Sequence, residues 1–500
     1  MIPSDRTPRE PQSFEPLDPM VSVTAEQTRE TSPEQATPPS VPQSNPNDLM
    51  GLLIRFLKIP GHVLQVQGSP GAGKTTLALE ILSRMQDTHK IYVSSRVSPT
   101  KLRQHFPWID EVIDSMSGRV SRASWLNELH DLRRMEAETV FNQVLRLKQA
   151  RQRALLVVDS WEGALRNSNE EGRRMLETAV FSEIDESKIS VILVIEGERL
   201  GSLDYLVDGI VALNHHEQDG RTVRTLTVSK MRGFKVRKPR GLFSLDRARF
   251  TFLPPTYYDE SPVDLHNLPP LNHSEKAFSL GSQDLDNMLG GVQRGSSVFI
   301  DVDGAVPSNM IHVLLNIITA NFINQGGSCF IVPTGTYSSD NTAESLLPYV
   351  GEEALDERVR IAEFRPALLT RKWRVPMKGR IIEDLKTFFN TWHELETTSQ
   401  TRMLNVNYDR IVQVYGEDFA FPGFSELGTE MRDSGSLNIN IASRHTRIRD
   451  ELTGTADYHI QVQSVDDSLL ISGIKPFSPT YGATFSRENG YPSLRLVEIV

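Results

Sequence analysis

From Asn47 onward, the apolar positions of this chain follow two rhythms in alternation. Short continuous runs (HVLQVQG, HKIYVSS, RALLVVDS and ISVILVIEG) have the length and branched-residue content of buried strands. Between them apolar residues recur at helical spacing, as at Leu77, Ala78, Ile81 and Leu82, or over a helix expected from about Glu171 to Ile184. NDLMGLLIRFLKIPG reads as a short amphipathic segment, and SPTKLRQHFP starts a helix capped by Ser98 with Pro99 at its first position. A long helix is expected from about Arg122 to Gln149, where Leu126, Leu129, Leu132, Val140, Val144 and Leu147 recur. Two ribbon-like strands follow, GIVALNHHE and TVRTLTVSKMRG, joined at Gln218-Asp219-Gly220.

Apolar strands alternating with crossover helices specify an α/β fold, a mostly parallel sheet flanked by helices, with the last pair as an antiparallel edge. The same order returns from Phe278. FSLGSQDLDNMLGGVQRG leads into a strand, SSVFIDVDG, a helix from Ser308 to Asn324 and a strand, GGSCFIVPTG. A helix in KGRIIEDLKTFFNTWHEL, strands in YDRIVQVYG and SGSLNINIAS, and an edge ribbon in YHIQVQSVDDSLLISGIK complete it. The duplication is legible in element order more than in residue identity. The expected organisation is a tail over 1–47, a first domain over 48–253, a linker over 254–277 and a second domain over 278–500. The tail is mostly Pro, Ser, Thr, Glu and Gln, and offers too little apolar area to offset the entropy of ordering, so it is expected to be disordered.

Composition narrows the function classes. A net charge of -10 over 500 residues argues against strong nonspecific duplex binding. The single cysteine, Cys329, excludes a disulfide framework and a cysteine zinc site within one chain, and is expected to be a buried core thiol. No apolar leader and no window of about 18 uninterrupted apolar residues is present, so a cytoplasmic chain with no membrane partner is expected.

The chemistry concentrates in GSPGAGKTTLALEIL. Gly68, Gly73, Lys74 and Thr75 complete the pattern G-x-x-x-x-G-K-[ST], between a strand and a helix of correct period. Residues Gly68, Ser69, Pro70, Gly71, Ala72, Gly73, Lys74, Thr75 and Thr76 are the expected nucleotide cradle: backbone N–H groups turn toward the phosphates and the helix N-terminus adds partial positive charge. Lys74 would reach the β- and γ-phosphates of ATP. Thr75 and Asp159, the carboxylate ending LLVVD, would hold Mg2+. The strand-two end reads Ser94-Ser95-Arg96-Val97, where a hydrolytic carboxylate is wanted and none stands; guanidinium stays charged and cannot serve as a base. Glu162 and Glu196 remain as candidate catalytic groups. Lys230 and Arg232 are candidates for reaching a phosphate in a neighbouring subunit or domain. Lys235, Arg237, Lys238 and Arg240 form a basic patch open to a partner protein or nucleic acid, and Phe234 alone interleaves it, which does not indicate a base-stacking surface. After SSVFI the second unit reads DVDGAVPSNM: Gly304 is followed by no Gly-Lys-Thr, and Asp301 and Asp303 put negative charge where phosphate would sit. That half is expected to be a degenerate, non-binding copy.

The phosphate loop, LLVVD, DYLVDGIVAL and VSKMRG occur in the order of the RecA/KaiC superfamily of P-loop ATPases, which the chain resembles over about residues 50–475. LDNMLGGVQRGSSVFI is similar to the segment preceding each KaiC-type ATPase domain. The resemblance implies tandem RecA-like domains assembled as a dimer or ring, with Lys230 and Arg232 matching a K-x-R-G ribbon that contacts nucleotide across a subunit interface. The family carries one or two glutamates after strand two, where this chain has Arg96 and Val97. YVSSRVSP and KMRG also resemble the archaeal gas-vesicle regulators of GvpD type, which implies repression of gas-vesicle synthesis through a partner activator. Three functions stay open: a nucleotide-gated regulator with slow or absent hydrolysis, a RecA-like ATPase assembling on DNA, and a scaffold with structural nucleotide.

Overall fold

The computed structural model describes residues 48–500 except 111, 114–119, 122–125, 127, 132–136, 152, 167, 185–186, 198–201, 256–269, 336, 366–369, 418–421 and 489–490. The expected tail and most of the expected linker lie outside the described residues.

The first half begins with α1 (Leu49–Leu57), β1 (Val63–Gly68), α2 (Lys74–Arg84), β2 (His89–Ser94) and α3 (Pro99–His105). A minor pair, β3 (Val112–Ile113) and β4 (Val120–Ser121), precedes β5 (Glu128–Asp131) and α4 (Ala137–Ala150). Then come β6 (Ala154–Asp159), α5 (Trp161–Arg166), α6 (Glu170–Phe181), β7 (Ile189–Glu196), β8 (Gly209–Gln218), β9 (Arg221–Met231), β10 (Arg240–Ser244) and β11 (Thr251–Phe252). Ser98 caps α3 by accepting from Lys101 N–H, with Pro99 first in the helix, as its sequence dictates. Asp219 and Gly220, at φ of 52° and 72°, make the tight β8–β9 turn.

In the second half β12 (Ala277–Phe278), α7 (Gln283–Leu289) and β13 (Val292–Gln293) lead to β14 (Ser297–Val302), α8 (Ser308–Asn324) and β15 (Ser328–Val332). They are followed by α9 (Ser339–Val350), α10 (Glu352–Arg358), β16 (Val359–Glu363), β17 (Arg374–Pro376), α11 (Ile381–Thr398), β18 (Arg402–Asn407) and α12 (Tyr408–Tyr415). The chain closes with α13 (Pro422–Asp433), β19 (Leu437–Ser443), α14 (Arg449–Thr455), β20 (Tyr458–Val465), β21 (Ser468–Lys475), β22 (Thr480–Glu488) and β23 (Tyr491–Glu498).

These strands form two large mixed sheets flanked by helices. The first runs β11-β10-β9-β8-β1-β7-β6-β2-β5 and the second β23-β22-β21-β20-β14-β19-β18-β15-β16-β17. Strand for strand the orders coincide, with one extra strand, β17, at the far edge. From β8 to β5, and from β20 to β17, every pairing is parallel; the remaining ribbons are antiparallel. Cys329 is fully buried in β15, where burial pushes its thiol pKa up, as expected of a core thiol.

Two elements differ from their sequence pattern. The expected helix over 122–149 contains a strand, β5, and a shorter helix, α4. ELHD pairs with β2 at the sheet edge, and His89 of β2 holds Glu128 at 2.6 Å. Part of this stretch lies outside the described residues. YDRIVQVYG is helix α12, and the strand beside it is RMLNVN. Asn407 decides this locally: its side chain accepts from Arg410 N–H and caps the helix, against the β-branched content that reads as a strand. The β22–β23 hairpin extends the second sheet beyond the expected ribbon.

The halves meet through their antiparallel ribbons. Val223, Leu242 and Leu253 pack on Leu470 and Ile499 in a shared apolar cluster. Arg221, only 7% exposed, donates from Nε to Ser478 O (2.9 Å) and from Nη2 to Gly473 O (2.7 Å).

Within the second half, His312 is buried, stacked on Tyr337 at 3.9 Å and 2.7 Å from Ser345 Oγ, and burial pushes its pKa down to about 4 from 6.5. Its folded pKa lies below its unfolded one, so its contribution is fully present above pH 6.5 and lost as pH falls toward 4. That loss is expected to amount to about 3 kcal/mol. Denaturant midpoints measured across that range should fall more steeply for the wild type than for His312→Gln.

Candidate functional site

β1, flanked by β7 and β8, delivers Gly68 to the carboxyl edge of the first sheet, and α2 starts at Lys74. Gly73 caps that helix at φ of 95°, and a Cβ there would stand 2.9 Å from Leu245 Cδ2. Gly71, at φ of 80°, has open space where its Cβ would be, which leaves the backbone approachable by a phosphate. Ser69 and Pro70 form the outer rim, Ser69 Oγ standing 3.4 Å from His215 Nδ1, while Ala72 and Thr76 are buried beneath the turn. Lys74 folds back over the loop and donates from Nζ to Gly68 O (2.6 Å) and Ser69 O (2.9 Å). Burial pushes its ammonium pKa down, and Asp159 and Glu196 act in the opposite sense.

Asp159, buried at the tip of β6, accepts at Oδ2 from Thr75 Oγ1 and from Tyr92 Oη, each at 2.5 Å. The two residues expected to hold magnesium are thus side by side, and the oxygen-only donor set suits a hard cation of that size. Mg2+ bound there would screen the phosphate charge. Tyr92 escapes the sequence pattern except for one signal: a tyrosine in a central strand has a phenol that must find a partner. Burial and then Asp159 raise its pKa, keeping it a donor.

The two candidate hydrolytic carboxylates lie on the same edge and are both engaged. Arg96 Nη1 is ion-paired with Glu196 Oε1, and Ser160 Oγ donates to that oxygen at 3.2 Å. Glu162 accepts at Oε1 from Glu196 N–H at 2.9 Å, and its other oxygen is buried with no hydrogen-bond partner among the described residues. Burial pushes the Glu162 pKa up. Arg96 therefore has a specific carboxylate to neutralise.

Arg224 on β9 was invisible in the sequence, being one of many polar residues in an alternating ribbon. Its Nη1 donates to Gly71 O of the phosphate loop at 3.0 Å, and its Nε donates to Val500 O of the second half. One guanidinium thus touches the loop and the end of the other half.

Lys230 and Arg232 lie at the opposite end of the sheet, where β9 pairs with the start of β8. Lys230 Nζ donates to Asp204 O at 2.7 Å, and Arg232 contacts Asp208 Oδ1 and Tyr205 O, both at 3.1 Å. They are not brought to the loop of their own chain. In the basic patch, Lys238 pairs with Asp467 (3.1 Å) and Arg240 with Asp466 (3.0 Å), both in the β20–β21 turn. Lys235 and Arg237 are exposed. Half of the patch therefore fastens the two halves together.

Register identifies the counterparts in the second sheet. Gly68 lies opposite Glu196, and Val302 opposite Ser443. Turns over 69–73 and 303–307 have the same length, so Ser308 and Asn309 stand where Lys74 and Thr75 do. Asp159 is level with Val66 through Val194, and Asn407 is level with Ile300 through Ile441. These positions carry no lysine, threonine or aspartate. The expected negative charge is not presented there: Asp301 is buried against Arg449 (2.6 Å), and Asp303 pairs with Arg444 (3.1 Å).

Residues 53–229 match the family described as GvpD gas vesicle protein, P-loop domain. The first half is thus similar to a P-loop domain of GvpD type. Two relatives, Protein GvpD1 and Protein GvpD2 of Halobacterium salinarum, are 21% and 22% identical to this chain, each alignment covering 89% of it and 95% of the relative. The matched region contains the loop, Asp159, Arg96, Glu162, Glu196 and Arg224, so the cradle and its carboxylate neighbours all fall within the shared domain. A P-loop domain of this kind has the capacity to bind ATP. Among the described residues, no helix is long and apolar enough to cross a membrane.

Proposed function

We propose that the protein binds ATP with Mg2+ at Gly68–Thr76 and Asp159, hydrolyses it slowly or not at all, and uses the nucleotide state to control a protein partner. The observation that carries this reading is the intact cradle beside a clamped carboxylate: Lys74, Thr75 and Asp159 converge, while Arg96 neutralises Glu196. Arg96 occupies Glu196 Oε1 and Glu162 spends an oxygen on a backbone amide, so each carboxylate has an oxygen committed within the chain. The second sheet, with Ser308, Asn309 and Asn407 at the corresponding places, acts as a degenerate copy. Nucleotide would be sensed through Arg224, which joins Gly71 to Val500 across the halves. The kinship with gas vesicle proteins directs the choice of process: repression of gas-vesicle synthesis in the cytoplasm, by acting on a transcriptional activator. Lys230 and Arg232 would serve a neighbouring subunit of a dimer or ring. With Lys238 and Arg240 engaged internally, a nucleic-acid role for the basic patch is disfavoured.

The expected result is stoichiometric ATP binding with turnover below about one per minute, far under ordinary enzymes, and unchanged in Glu162→Gln. Brisk turnover that disappears in Glu162→Gln would sink the reading. Pull-downs from native lysate, wild type beside Lys74→Ala with and without ATP, should retain a partner in one nucleotide state only; equal retention in all four would remove the gating.

A further inference from the structure

The rim of the phosphate loop is held from outside by one arginine. Within the turn, Ala72 N–H donates to Ser69 O at 3.2 Å, and Arg224 Nη1 donates to Gly71 O at 3.0 Å. Both ends of the Gly71–Ala72 peptide plane are therefore fixed. Gly71, at φ of 80° and with open space at its Cβ position, has no side chain to restrain it. Arg224 Nε in turn donates to Val500 O. That stretch of the second half is seated by Ile499, which is buried in the apolar cluster shared by the halves and donates from its N–H to Thr480 O at 2.9 Å. A second contact runs the same way: Leu245 lies against Gly73, and Ser244 beside it donates from Oγ to Glu498 O.

The second sheet serves as the control. Gln67 pairs with Ala212 and Asp301 with Gln461, so His215, three residues on, corresponds to Ser464. Their partners across the ribbon are Arg224 and Leu469. Leu469 is 1% exposed and packs in the core of the second half, so of the two ribbons only the one beside Lys74 spends an arginine at this place. An apolar residue suffices there for holding the ribbon together; a charged donor aimed at a loop carbonyl acts on the loop. We infer that Arg224 is a positioning residue of the nucleotide site. It holds the Gly71–Ala72 peptide ready for the phosphates while residues 498–500 are seated, so nucleotide affinity and the seating of that strand end are coupled. This rests on ATP binding at the loop and adds the part of the second half that reads it. Fixing a flexible turn in advance reduces the ordering cost of binding, and a coupling between two sites acts equally in both directions.

The test measures ATP affinity of the full chain by calorimetry in the wild type, Arg224→Met, Ile499→Ala and the double variant. Methionine keeps the apolar stem and removes every donor. Arg224→Met should weaken ATP binding about tenfold, the effect of one charge-assisted hydrogen bond. Ile499→Ala does not touch the loop, yet should weaken ATP about fivefold in the wild-type background and not at all in the Arg224→Met background. In the wild type, ATP should also slow amide hydrogen exchange over residues 491–500, and that slowing should be absent in Arg224→Met. If circular dichroism shows a variant unfolded, Arg224→Gln or Ile499→Val replaces it with a smaller loss expected, and the exchange measurement on the wild type needs no variant. Unchanged affinity in Arg224→Met, additive losses in the double variant, or exchange over 491–500 indifferent to ATP would each overturn the inference while ATP binding stands. A wild type that binds no ATP would overturn both.

Discussion

Replacing Lys74 with alanine is expected to weaken ATP binding at least 100-fold while leaving the fold intact. In the described state its ammonium donates to Gly68 O and Ser69 O, so the charge already sits over the space that phosphates would enter. Charge-assisted hydrogen bonds contribute roughly 1.5–3 kcal/mol each, and losing contacts to two phosphates at about 3 kcal/mol corresponds to a factor of at least 100. Alanine is also the best helix former at the first position of α2, so the helix itself should not suffer. Equilibrium binding of a fluorescent ATP analogue, with circular dichroism as the check on folding, makes the comparison. Asp159→Asn should behave differently. It keeps an oxygen to accept from Thr75 and Tyr92, so affinity without magnesium should change little while its enhancement by magnesium is lost.

The second large effect is structural. Arg221→Ala is expected to destabilise the protein by about 3–5 kcal/mol, because two carbonyls in the second half, Ser478 O and Gly473 O, lose their charged donor in a buried interface. The guanidinium also lies 4.3 Å from the centroid of the Phe477 ring, a smaller contribution because that ring is exposed. Arg221→Lys should restore little, since one ammonium cannot reproduce a planar fork aimed at two acceptors. Chemical denaturation should show a lowered midpoint in both variants. Wild-type stability in Arg221→Ala would mean that the apolar cluster of Val223, Leu242, Leu253, Leu470 and Ile499 holds the halves by itself.

The tandem architecture was legible because parallel central strands are buried on both faces and therefore read as continuous apolar runs. The second half shows the limit of that rule. YDRIVQVYG has a strand's composition, yet Asn407 caps it as a helix. RMLNVN, with two asparagines and an arginine, is the strand, because its polar residues find partners or cavities within the packed sheet. The glycine-rich turn between β1 and α2 was legible because its residues are contiguous, so that spacing alone reports the geometry. Arg96, at first a missing base, acquires its meaning only from Glu196, a hundred residues away in sequence and on a different strand.

By itself, then, the sequence determined the glycine-rich turn into α2, the strand carrying Asp159, and the repeat of one element order, all set by local period and short-range turn chemistry. Tertiary structure alone decided which charges are spent: Arg96 on Glu196, Arg221 and Arg224 across the halves, Lys238 and Arg240 on Asp467 and Asp466. Charge pairing depends on which strands become neighbours, and strand order in a crossover sheet places residues together without regard to their distance along the chain.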